Sequence, residues 1–318
     1  MYEEYYDKET QTLNLPHDFN SELKDLPDDI KKIIFIEEEI IKEGGLSYNL
    51  FSLFNLKINN LPSSLTHLIF GGEFNQPIDN LPVNLTHLSL GHKFNQSIDN
   101  LPLNLTHLII NEKKEYSDEN YIFNHSIDNL PANLINLTLK NNFNQPVNNL
   151  PVNLTNLTFG YVFNQPVNNL PINLTNLTFL GFFNQPIDNL PVNLTNLIFG
   201  GDFNQSVDNL PVNLTNLTFN NNSEFNKSLD KLPINLKYLS VNVNFLMINN
   251  IPDCIEYLKI YYNTDFFSDI YENRQIIDNL NYNIKEIIVN TTAYIHNIKK
   301  IHFGCVIIDE QTGKKITI

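Results

Sequence analysis

The sequence predicts an all-β, single-domain parallel β-solenoid with short non-helical return segments and degenerate capping coils. Three observations carry that expectation. The stretch FNQPVNNLPINLTNLTF at residues 163–179 recurs almost unchanged at 143–159 and at 183–199. A fixed period of about 20 residues marks stacked coils, each too small to bury a core alone. Near the end of each copy apolar residues alternate, as in Leu85-x-x-Leu88-x-Leu90, which is the two-residue period of a strand. Prolines fall in the other half, Pro77 and Pro82 in one copy and Pro166 and Pro171 in another. A proline lacks the N–H donor and pushes its predecessor to extended geometry, so this half cannot be helical.

Taken in order, residues 1–53 read as an acidic amino-terminal cap with one degenerate repeat. Residues 1–43 hold 13 acidic and 5 basic side chains. Phe19, Asn20, Leu23, Leu26, Pro27, Ile30, Ile33 and Phe35 fall at the offsets of the repeat. Residues 54–260 form the array, with Phe at 54, 74, 94, 123, 143, 163, 183, 203, 225 and 245. Alternation over Thr86–Leu90 sends Leu88 and Leu90 inward and His87 and Ser89 outward, and each unit offers six inward apolar groups, here Leu85, Leu88, Leu90, Phe94, Ile98 and Leu101. One short strand per unit is expected, in a parallel ladder from about Lys31 to Ile288. Insertions at 36–53, 111–122 and 261–272 interrupt the period; the second, NEKKEYSDENYI, reads as a charged protruding loop. The repeat decays through Leu236–Val241, Ile255–Ile260 and Ile284–Val289. Residues 261–318 read as degenerate coils and a carboxy-terminal cap, with closing strands at Ile298–Phe303 and Val306–Ile318 and a turn at Thr312-Gly313.

Two asparagine columns accompany the core. One follows the Phe (Asn75, Asn95, Asn144, Asn164, Asn184, Asn204) and reads as an inward amide that satisfies turn groups. The other precedes Leu-Pro (Asn60, Asn80, Asn100, Asn149, Asn169, Asn189). Stacked at strand spacing, both can form amide ladders.

The unit F-N-Q-P-I-D-N-L-P-x-N-L-T-x-L-x-F/L resembles the FNIP repeat, a short relative of the leucine-rich repeat. The resemblance covers residues 54–260 and implies a leucine-rich-repeat-like solenoid. It carries over no catalytic residue. FNIP proteins sometimes place an F-box before the repeats, and Leu26-Pro27-Asp28-Asp29-Ile30 looks like the start of one. Its register is that of the repeat, and too few residues precede it for such a domain.

Composition narrows the function. The net charge of −15 argues against nucleic acid, whose phosphates need clustered Lys and Arg. No run of about 18 apolar residues is present, so no membrane span is expected. The start, MYEEYYDKET, lacks an apolar signal core, and two distant cysteines, Cys254 and Cys305, give no disulfide framework. A soluble cytoplasmic chain is the expectation, in which sequons such as Asn153-Leu154-Thr155 are a by-product of repetition. No cofactor is expected, and no nucleophile–base pair or phosphate loop stands out, so the chain does not read as an enzyme.

The candidate binding residues are the outward strand column His67, His87, His107, Asn136, Asn156, Asn176, Asn196 and Asn216, continued by Tyr238 and Tyr257. Beside it runs a column of Ile69, Ser89, Ile109, Thr138, Thr158, Thr178, Ile198, Thr218 and Ser240. Stacked imidazoles at 67, 87 and 107 raise zinc as one reading; surface variation on an asparagine column is the other. The acidic column Asp79, Asp99, Asp128, Asp188 and Asp208 raises calcium, but Asn148 and Asn168 replace Asp without other change, as a turn residue would. The leading expectation is a non-catalytic scaffold that binds an unidentified protein through the strand face around residues 61–140, with a pH response between about 5 and 8 from histidine. A self-associating structural protein is the alternative.

Overall fold

The computed structural model describes residues 2–41, 47–110, 123–140, 142–242, 251–262, 280–291, 295, 298, 301 and 304–316. The charged insertion at 111–122, most of that at 261–272, Phe245 and much of the strand expected at 298–303 lie outside them. In a solenoid each coil touches only its neighbours, and here the contacts group into two compact units, Met1–Gly160 and Tyr161–Ile318. Among the described residues every regular element is a strand and none is an α-helix.

In the first unit, β1 (Tyr6–Asp7) pairs antiparallel with β2 (Thr12–Leu15). From β2 the ladder is parallel through β3 (Lys32–Phe35), β6 (His67–Ile69), β7 (His87–Leu90), β8 (His107–Ile110), β9 (Asn136–Leu139) and β10 (Asn156–Phe159). The insertion at 36–53 contains an antiparallel hairpin, β4 (Glu38–Ile41) with β5 (Ser47–Leu50), in a sheet of its own. In the second unit, β11 (Asn176–Phe179), β12 (Asn196–Phe199), β13 (Asn216–Phe219), β14 (Tyr238–Asn242), β15 (Tyr257–Tyr261), β16 (Glu286–Val289) and β17 (Val306–Asp309) are parallel in sequence order. The last strand, β18 (Lys315–Ile316), turns back antiparallel onto β17. Gly313 sits at φ +64° in that turn, a left-handed conformation that L side chains resist.

The parallel ladder thus begins earlier and ends later than the repeat pattern predicts. The residues that precede Thr12–Leu15 carry none of the Phe-Asn signature, and Val306 pairs parallel with Glu286. Both strands are legible only as short alternating apolar runs.

The core is as the alternation requires. Leu85, Leu88, Leu90, Phe94, Ile98 and Leu101 are all buried. The once-per-coil phenylalanines form a stacked column: Phe54–Phe74 ring centroids lie 6.1 Å apart at 5°, and Phe74–Phe94 6.4 Å apart at 7°. The second unit repeats this with Phe183–Phe203 and Phe203–Phe225, each tilted by 3°. A second ring ends several strands and packs on the first, as Phe199 does on Phe203 at 3.7 Å. Offset stacking adds to area burial in such pairs.

The asparagine after each Phe does form a ladder, but at the rim rather than inside. The backbone N–H of Asn95 donates to Oδ1 of Asn75 (2.9 Å), and that of Asn184 to Oδ1 of Asn164 (2.9 Å). The next residue joins in: Gln96 Nε2 donates to the same Asn75 Oδ1 at 2.9 Å. Asn164 is exposed, so the expected inward placement is corrected: the amide needs only to reach the next coil's backbone, and the Phe beside it already fills the interior. The second column pairs with the acidic one rather than with itself. Asn100 Nδ2 donates to Asp79 Oδ1 (3.1 Å), Asn129 to Asp99 (3.0 Å) and Asn149 to Asp128 (3.0 Å).

A third ladder comes from the asparagine of L-P-x-N. Its Nδ2 donates to the carbonyl of residue x in the coil before, as Asn104 does to Val83 (2.9 Å) and Asn213 to Val192 (3.0 Å). Its constancy in the template is the signal that could have found it.

Candidate functional site

The strand-face column is assembled as the sequence implies within each unit. Lys32, His67, His87, His107, Asn136 and Asn156 lie in register on adjacent strands of the first unit. Asn176, Asn196, Asn216, Tyr238 and Tyr257 do so in the second. The imidazoles stack face to face: His67–His87 and His87–His107 centroids are each 4.0 Å apart, tilted by 12° and 11°. They are half-buried rather than exposed. In the neighbouring column Ser89 and Ser240 are buried, so those two positions are withdrawn from the binding surface.

The threonine before each histidine fixes the ring. Thr86 Oγ1 donates to the backbone carbonyl of Thr66 (3.1 Å), and Thr106 Oγ1 to that of Thr86 (3.1 Å). With its proton so used, each hydroxyl accepts from the adjacent imidazole. The contacts Thr66–His67, Thr86–His87 and Thr106–His107 measure 2.9, 2.8 and 2.9 Å to Nδ1. The network therefore assigns the proton to Nδ1 and leaves Nε2 as acceptor. Asn136 Nδ2 confirms the sense at one end, donating to His107 Nε2 at 2.6 Å. Asn156 in turn donates to Asn136 Oδ1. In the second unit Asn196 Nδ2 donates to Asn176 Oδ1 (2.7 Å) and to Thr195 Oγ1 (3.0 Å).

Burial holds all three histidines below the ordinary imidazole range. Desolvation is the leading cause throughout, and Lys32 and the neighbouring imidazoles add to it at His67 and His87. His87, in the middle, is lowered to about 4. The pH window expected from unperturbed histidine moves downward accordingly: His87 stays neutral where a free imidazole titrates, and His67 and His107 shift in the same direction. Rings in near-parallel planes direct their lone pairs side by side, not toward one point. Among the described residues no group of three or more His, Cys, Asp or Glu is placed to hold a metal ion.

Along the edge of the histidine column runs a shallow groove of about 760 Å³ in the first unit. Its walls are mostly repeated hydroxyls and amides, among them Thr66, Thr86, Thr106, Asn84 and Asn104, with Lys31 and Ile135 beside them. Uncharged donors and acceptors of this kind can bind a partner without the desolvation penalty of a charge. Each of these threonine hydroxyls stands beside an imidazole, but with the proton on Nδ1 that nitrogen donates to the hydroxyl.

Comparison with known proteins agrees with the repeat register. The FNIP Repeat family model matches residues 54–80, 74–113, 146–181 and 183–222. A comparison with curated proteins finds no match. Similar solved structures include CroV588, a circular leucine-rich-repeat protein, at 27% identity over 94% of this chain and 63% of that one, with a TM-score of 0.35. The functional domain of InlJ from Listeria monocytogenes, which includes a cysteine ladder, has 15% identity over 74% of this chain and 61% of that one, with a TM-score of 0.40. The pneumococcal vaccine antigen PcpA has 14% identity over 96% and 82%, with a TM-score of 0.20. The chain therefore spans less than two thirds of the first two of these structures.

Proposed function

For a chain that the FNIP Repeat family model matches at residues 54–113, 146–181 and 183–222, we propose a non-catalytic scaffold that binds another protein through the strand face of its first unit. The observation that supports this reading most is the groove beside the histidine stack, lined by pre-positioned hydroxyls and amides. The ladders already hold these side chains, so docking a partner costs little further ordering. His67, His87 and His107 stand where the next coils carry asparagine, and they give this face its individuality. The two cysteines are free, and burial raises both thiol pKa values. Inert thiols suit a reducing compartment, and the proposal places the protein in the cytoplasm.

The test is quantitative affinity purification with the wild type and with the triple variant His67→Asn, His87→Asn, His107→Asn. That variant restores the pattern of the later repeats and should keep its melting temperature. Loss of at least one partner from the folded variant is expected. Retention of every partner removes the strand face from consideration. Growth in mass without any second protein points instead to self-association.

A further inference from the structure

The groove beside the histidine column carries charge at one end only. Lys31 stands in the column that Thr66, Thr86 and Thr106 continue. Thr66 Oγ1 donates to the Lys31 carbonyl (3.0 Å) as Thr86 Oγ1 does to that of Thr66 (3.1 Å). Where the next coils show a hydroxyl, this coil therefore presents an ammonium group, and Lys31 is exposed. Lys32 follows it, in register with His67. Among the described residues neither lysine forms an ion pair, not even with Asp28 or Asp29 in the preceding turn. No Asp or Glu lines the groove, although residues 1–160 hold 21 Asp and Glu against 10 Lys and Arg. An uncompensated cation at the end of a groove without carboxylates favours an anionic group on the ligand.

The asparagines supply the rest of the chemistry. Asn84, Asn104, Asn133 and Asn153 line the groove and are exposed. Each gives one Nδ2 bond to a carbonyl of the coil before, at 2.8, 2.9, 2.9 and 3.0 Å. Each keeps its Oδ1 and its second N–H for a ligand. The hydroxyls of Thr66, Thr86 and Thr106 are already engaged by backbone and imidazole. An acceptor and a donor side by side match the C=O and N–H that an extended residue turns to the same side. A helix has spent those groups on itself. No aromatic ring lines the groove to stack on the face of a sugar.

We propose that the groove holds an extended, otherwise uncharged segment of a partner protein, its backbone clamped by these asparagine amides and one Asp or Glu side chain seated against Lys31. This inference rests on the strand-face reading above and names what that face takes. The carboxylate follows from charge complementarity, and the extended form from the free amide edges, which need unspent backbone groups to pair with.

The probe is a display library of short random peptides, panned against the full chain. Recovered peptides are resynthesised with acetylated and amidated ends, so that side chains carry their only carboxylates, and followed by fluorescence anisotropy. They should hold Asp or Glu near one end and uncharged polar residues elsewhere. Lys31 bonds the fold through its backbone alone, so Lys31→Gln and Lys31→Glu should melt as the wild type does. Lys31→Gln should weaken binding severalfold and Lys31→Glu more. A fresh selection on Lys31→Glu should recover Lys or Arg in place of Asp or Glu. Asn84→Ala with Asn104→Ala, checked for folding by circular dichroism, should weaken the same peptides. No enrichment, equal binding by the lysine variants or by the asparagine variant, an apolar i, i+3, i+4, i+7 pattern among the recovered peptides, or binding of neutral oligosaccharides alone overturns the proposal. If the peptides fail while the triple histidine variant still loses a partner, the strand-face reading stands without this occupant.

Discussion

At the scale of residues, the ladders are the distinctive chemistry, and each predicts a measurable cost. Asn104→Ala leaves the Val83 carbonyl without its amide donor and should lower stability by about 1 kcal/mol, read as a shift in the urea midpoint at constant slope. Thr86→Val removes both the acceptor for His87 Nδ1–H and the donor to the Thr66 carbonyl. The imidazole then loses its fixed tautomer, which nitrogen chemical shifts of His87 would report. The acid response has a definite sign. His87 is neutral in the fold down to about pH 4, whereas an unfolded imidazole takes up its proton near 6.5. Between these values the unfolded chain binds more protons, so stability falls as pH drops through the window. His87→Asn should make the stability–pH curve flatter there; an unchanged curve in chemical denaturation would contradict the assigned shift.

At the scale of elements, the close approach of successive turns sets the limits on substitution. A Cβ on Gly91 would stand 2.0 Å from the carbonyl oxygen of Gly71. Backbone cannot yield as a side-chain tip can, so Gly91→Ala should cost about 1–3 kcal/mol, as overpacking does. The control is Gly201→Ala, whose Cβ meets nothing nearer than the Asn222 carbonyl oxygen at 3.4 Å and should melt as the wild type does. Most of the strands were legible because Leu-x-Leu alternation and the Phe period locate them without knowledge of any partner. The amide ladders were legible as columns but not in direction: Asn164 and Asn100 carry no mark of whether they turn inward, outward or toward a carboxylate. That depends on which backbone groups the turn leaves unpaired. The exposed apolar position of Val83 and Leu103 was hidden for another reason. Its residues vary among Val, Leu, Ala and Ile, so a template writes the position as x, and only solvent exposure separates it from the core.

For the whole molecule, repetition makes the coil a unit that can be removed. Deleting residues 183–202, one full period within the second unit, joins Phe182 to Phe203 in the same register. The shortened chain should keep its β-sheet circular dichroism and unfold with a smaller denaturant slope, since less surface is exposed on unfolding. Deleting residues 183–192 alone removes the return half of one coil, so β11 and β12 can no longer be joined in register, and should unfold the second unit. The antiparallel hairpins β1–β2 and β17–β18 have a consequence of another kind. In the language of polymerisation, every parallel coil is both product and template: the strand just laid down displays the same row of amides and carbonyls that received it. Such a surface propagates until a terminator is added. β1 and β18 interrupt this propagation, because a strand laid antiparallel does not repeat the parallel pattern of groups that received it. Loss of residues 310–316 would leave β17 as a living end. Such a chain should seed fibrils that bind thioflavin and lengthen after a lag, whereas the intact protein stays dispersed.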